Sequence, residues 1–187
     1  MTPTSSDAHQ DIVSSVQTWL ERAVIGLNLC PFARAVHVKN QIRYAVTTAT
    51  DPDQLVQALM DELAYLAAVD PEESDTTLLI HPWVLEDFSD YNEFLDVADV
   101  ILAGMGMEGI IQIASFHPDY QFSGTHRDDV SNYTNRSPYP ILHLLRESSM
   151  DRAVASVPDT DAIYKRNIAT LKILGAKGWA DLFNKVD

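Results

Sequence analysis

The chain has 187 residues, 46% hydrophobic and 21% charged, the balance of one ordinary globular domain rather than a disordered or fibrous chain. Its 27 acidic and 13 basic residues leave a formal charge of −14, a field that repels phosphate backbones and argues against nucleic acid as a partner. One cysteine, Cys30, excludes an internal disulfide and an all-cysteine metal cage.

Residues 1–8 are small and polar and read as a flexible start, with a single α/β domain over residues 9–187. The start lacks a basic-plus-apolar secretory pattern, and no apolar run approaches the ~20 residues of a membrane helix. The expectation is a cytoplasmic protein with no membrane partner.

Ile12, Val13, Val16, Trp19, Leu20, Ala23, Val24 and Leu27 recur at helical spacing, which predicts an amphipathic helix over about 10–27, ended near Cys30-Pro31. Val36 to Val38 reads as an extended lead-in to a β-branched strand at Ile42 to Thr48. Asp51 is an N-cap with Pro52 at the first helical position, and Leu55, Leu59, Leu63 and Leu66 mark the helix that follows. Thr76 to Ile80 is a short apolar strand ending at His81-Pro82. A helix over about 87–105 leads to a second such strand, Gly109 to Phe116, which also ends at a His-Pro pair, His117-Pro118.

Residues 118–136 show no period and read as an ordered excursion, too long to be a plain connector. Ser137 and Pro138 predict the start of a helix through Ile141, Leu142, Leu144 and Leu145, with His143 and Arg146 on its solvated side. A last long helix is expected over about 160–175, then a packed terminal turn. The fold class is α/β, a small layered sheet with a β-α-β-α-β core, an N-terminal helix and C-terminal helices. The alternative is a ferredoxin-like α+β arrangement.

Proline pushes the residue before it out of helical conformation, so His81 and His117 should sit at extended strand exits. If the two strands run the same way, both exits share the carboxyl edge of the sheet, where open α/β sheets place ligands. The candidate catalytic residues are therefore His81 and His117 as acid and base, with Asp128 orienting one ring. The same imidazoles with Asp119 could hold a divalent metal, and no other cofactor is indicated. The alternative is that each imidazole caps its strand by bonding a loop carbonyl.

In the excursion, Tyr120, Thr125, Asn132, Asn135 and Arg136 form a candidate binding set. Their donors precede an expected helix N-terminus, which favours anions. Equally, these side chains could tie down their own loop. Cys30 is a candidate nucleophile, placed unfavourably at a helix C-terminus. Two functional readings follow. One is a small-molecule enzyme, a hydrolase or transferase, acting on a polar or anionic metabolite at a His-rich pocket. The other is a non-catalytic ligand- or protein-binding module using the 117–137 loop.

Three stretches together carry a resemblance: Gly26-Leu-Asn-Leu-Cys-Pro-Phe-Ala33, Thr77-Leu-Leu-Ile-His-Pro82, and Ser115-Phe-His-Pro-Asp-Tyr-Gln-Phe-Ser-Gly-Thr125 with Asn132-Tyr-Thr-Asn-Arg-Ser-Pro-Tyr-Pro140. On these the chain resembles the bacterial domain-of-unknown-function family 1415, from its first helix to Asn167-Ile-Ala-Thr-Leu171. The resemblance implies a one-domain bacterial protein of similar length and carries no residue roles with it.

Overall fold

The structure is a computed structural model that describes residues 5–155 and 160–184. Part of the expected flexible start, residues 1–4, lies outside the described residues, and helix α1 (Ser5–Trp19) begins directly after them. Helix α1 runs into a π-helical turn, Leu20–Ile25, closed by the Gly26 amide bonding Glu21 O five residues back at 2.9 Å. A side chain at Gly26 would put its first carbon 2.2 Å from Arg22 O, so this turn accepts only glycine.

Strand β1 (Ile42–Val46), helix α3 (Pro52–Ala68), strand β2 (Thr76–Ile80), helix α4 (Phe88–Gly104) and strand β3 (Ile111–Phe116) follow in the expected order. Asp51 caps α3 as the sequence predicts, accepting from the Gln54 amide at 2.9 Å, with Pro52 in the first helical position. Leu55, Leu59, Leu63 and Leu66 form its inner face, all fully buried. Asp87 gives α4 the same kind of cap.

Three local expectations are corrected. Ala33–Val38 is a short helix, α2, rather than an extended lead-in, because Pro31 starts a new turn after ending the previous one. The expected helix from Ser137 is strand β4 (Ile141–Arg146). Pro138 and Pro140 hold the approach extended, and the five apolar-dominated residues after them suit a buried strand as well as a helix. The chain then forms α5 (Glu147–Val154), and the last helix, α6 (Thr160–Asp181), runs past its expected end with a break at Gly175.

The sheet order is β1-β2-β4-β3, with β1 parallel to β2, and β4 antiparallel to both of its neighbours. Two strands antiparallel to a common neighbour point the same way, so β2 and β3 share a direction with β4 between them. The α/β class stands, and the element order β-α-β-α-β-β is not that of the ferredoxin-like alternative. No helix among the described residues is long and apolar enough to cross a membrane.

Strand alternation divides the core in two. Leu79, Ile111, Leu142 and Leu144 pack under α3 and α4, while Leu78, Ile80 and Ile141 meet α1 and the π turn. Trp19 locks the second layer by donating its indole N–H to Arg136 O at 2.8 Å and meeting Phe116 edge to face. Helix α6 adds Trp179, which packs on Tyr133.

Candidate functional site

The expected meeting of the two His-Pro exits occurs. Ile80 and Phe116 flank the same residue of β4, Ile141, so His81 and His117 leave the sheet at one edge. Both rings pack on Tyr91, with centroids 5.7 and 5.0 Å from it. The edge is closed, however. Both histidines are 0% exposed. His117 accepts from the Asp119 amide at Nδ1 (3.0 Å) and donates through Nε2 to Leu85 O (3.2 Å), so neither nitrogen is left for a ligand.

His81 bonds Val84 O at 2.9 Å through Nδ1, and its Nε2 is buried without a partner. Burial holds its pKa down to about 4 and pulls His117 downward too, so both rings are neutral at pH 7. Asp128 is exposed, and the Asp119 carboxylate pairs with exposed Arg127 at 2.8 Å. The expected metal trio of His81, His117 and Asp119 therefore does not assemble. Among the described residues no three His, Cys, Asp or Glu side chains group closely enough to hold an ion.

The excursion after residue 117 is ordered by its own side chains. Asn132 is fully buried, accepts from the Phe122 amide (3.0 Å) and the Thr125 hydroxyl (2.9 Å), and donates to His126 O (2.8 Å). Asn135 donates to Ser115 O at 3.0 Å, and Arg136 to Tyr120 O and Arg127 O. A short 3-10 helix, Val130–Asn135, carries these groups. Tyr120 packs half-buried between Phe88 and Phe122. Asn132, Asn135 and Arg136, expected to hold an anion, thus donate to backbone carbonyls of this region. Asn132→Ala would strand buried partners and should cost about 2–3 kcal/mol, with faster amide exchange at Phe122 in a hydrogen-exchange measurement.

Open space lies elsewhere. Helix α1 and the π turn cover only part of their sheet face, and the uncovered part, toward the start of β2, walls a cavity of about 600 Å³ rimmed by α2 and α5. Leu78, Ala114, Phe116 and Leu145 supply the apolar floor, with Trp19 and Phe32 beside them. This volume falls in the range of ~300–1,000 Å³ typical of small-molecule pockets.

His143 stands in that floor because β4 alternation puts it beside Leu78 and Ala114. Thr76 donates its one hydroxyl proton to Leu144 O at 2.7 Å, so it must accept from His143 Nε2, also at 2.7 Å. That fixes the tautomer: Nε2 carries the proton, and Nδ1 keeps a lone pair with no bond among the described residues. His143 is half-buried and lines the cavity, and the surrounding protein desolvates its ring, holding its pKa down to about 4.

Cys30 lines the same cavity. The sequence reading placed it after a helix. It does follow the π turn and also precedes α2, where the hydrogen-bonding pull of the Phe32 and Ala33 amides favours its thiolate. Burial outweighs that pull and pushes the thiol pKa up, so the sulfur stays protonated.

The polar end of the cavity was missed by sequence reasoning. Arg146, read as a solvated helix residue, is 9% exposed and donates through Nη2 to Val69 O (2.7 Å) and Ser74 O (3.2 Å). Beside it Arg152 donates to Ser149 Oγ (2.9 Å), which donates to Asp75 at 2.6 Å. Lys39, Arg146 and Arg152 line this cavity against one carboxylate, Asp75, inverting the sign of an otherwise acidic chain. The only available signal was the Leu-Leu-Arg-Glu run read as strand rather than helix.

A family model described as a protein of unknown function, DUF1415, matches residues 11–181. No curated protein and no solved structure matches the chain.

Proposed function

Because the chain belongs to DUF1415, a family of proteins of unknown function, its role must come from its own site, and we propose that it binds a small molecule in the cavity beside α1, α2 and α5. The observation that carries this reading is a sheet face left part-covered. Leu78, Phe116 and Leu145 on a buried strand surface would ordinarily be sealed by a helix, and here they wall space of ligand size. Polar groups converge on that space, among them His143, Thr76 and Arg146.

Binding is better supported than turnover. A hydrolase or transferase acting on a polar or anionic metabolite would draw on the same wall, with His143 receiving a proton and Cys30 attacking. A ring basic only below about pH 4 and a thiol pushed upward are both poorly tuned for that work near neutrality. A partner-recognition role for the 117–137 loop has less support, since Tyr120, Phe122, Tyr133 and Tyr139 are all partly buried rather than displayed.

The test uses N-phenyl-1-naphthylamine, a neutral apolar dye that brightens on leaving water. The wild-type chain should bind it saturably, one per protein. Ala114→Trp and Leu145→Trp, which fill the cavity from neighbouring strands, should each weaken binding at least about tenfold while leaving the fold intact. Undiminished dye binding in both folded variants would remove the proposal.

A further inference from the structure

We propose that the cavity's ligand is an amphipathic carboxylate, its apolar body on Leu78, Ala114 and Phe116 and its acid group at Arg146. The inference rests on the cavity being a binding site and names what it selects. Three observations converge on it.

The first is charge. In a chain with about twice as many acidic as basic residues, one cavity gathers Lys39, Arg146 and Arg152 against a single carboxylate. Low-dielectric walls strengthen such a local field, so the cavity favours anions although the whole protein repels them.

The second is an unfinished set of bonds. The Arg146 guanidinium is held through Nη2 by Val69 O and Ser74 O and its Nε is sealed from solvent, which leaves Nη1, with no hydrogen bond among the described residues, as the nitrogen open to a ligand. Asp75 stands nearby at 3.9 Å, beyond hydrogen-bond reach, and its near oxygen is taken by Ser149. Arginine stays protonated, so a planar acceptor anion is the group that completes it.

The third is the rest of the wall. Apolar side chains make up most of the remaining surface, so beyond the end that holds Lys39, Arg146 and Arg152 no further charge finds a partner. A nucleotide or polyphosphate would strand its further anions against Leu78 and Phe116. A single anionic head on an apolar body fits both ends.

The experiment displaces the neutral dye from the full-length chain with three probes of equal tail length: decanoate, decanol and decyltrimethylammonium. Decanoate should compete roughly tenfold or more better than decanol, the gain of one charge-assisted hydrogen bond, and the cation should compete worst. Arg146→Met and, at the rim, Arg152→Gln should erode the decanoate advantage and leave decanol unchanged. If Arg146→Met fails to fold, Arg152→Gln and added salt carry the test, since salt should weaken decanoate alone. Equal competition by decanoate and decanol, with the dye still bound in the cavity, overturns this inference and leaves the binding reading standing. Dye that never enters the cavity overturns both.

Discussion

Tyr91→Phe should destabilise the fold by about 2–4 kcal/mol, a large share of the 5–15 kcal/mol that holds a domain of this kind together. Tyr91 is fully buried on α4, under the edge where β2, β4 and β3 end. Its hydroxyl donates to Ile141 O at 2.7 Å and accepts from the Phe116 amide at 3.1 Å. One oxygen thus completes the sheet ladder at the point where His-Pro exits end it. Phenylalanine keeps the ring contacts with His81 and His117 but removes the hydroxyl that bridges the Phe116 N–H and the Ile141 C=O. Urea unfolding should show a lower midpoint with an unchanged slope. A midpoint within about 0.5 kcal/mol of wild type would mean the backbone groups find other partners.

Acid should unfold the protein earlier than its carboxylates alone would require. His81 and His143 have pKa values of about 4 in the folded chain against the ordinary 6.5. A histidine with a depressed folded pKa disfavours the protonated state on folding. Between pH 6.5 and 4 the unfolded chain therefore binds protons that the folded chain refuses, and stability falls as pH is lowered through that window. Each ring contributes about 3 kcal/mol to the loss, on the scale of 1.36 kcal/mol per unit. Well above pH 6.5, where the unfolded rings are neutral too, neither ring adds slope. His81→Asn can keep the bond to Val84 O, and His143→Gln the bond to Thr76, without the titration. Each should remove about 3 kcal/mol of the loss between pH 7 and 4 in urea melts, leaving the carboxylate share in place. Parallel pH profiles for wild type and both variants would show that the rings do not titrate as described.

Much of this architecture could be read from residues alone, and the failures have a common cause. Asp51-Pro52 and the leucines after it announce α3, and the apolar runs before His81 and His117 announce β2 and β3, because caps and strand ends are local signals. Ile141 to Leu145 carries no such signal. Its residues satisfy helical and extended periodicity alike, and only its place between β2 and β3 decides the matter. Misreading β4 hid the register that sets His143 beside Thr76 and Arg146 at the cavity.

The joint edge of His81 and His117 followed correctly from strand direction, but its closure did not. That depends on Val84 and Leu85 folding back over both rings, a tertiary event with no motif. The cavity was equally illegible. It exists because α1 stops short of the far end of a sheet face, and the sequence encodes covering residues, not missing cover.

Amide chemical-shift mapping of the folded chain with decanoate bears most directly on where this protein works. Perturbations should concentrate at Thr76, Ala114, His143 and Arg146, with His81 and His117 unmoved. Shifts centred on the His-Pro edge, with the cavity wall silent, would contradict the account.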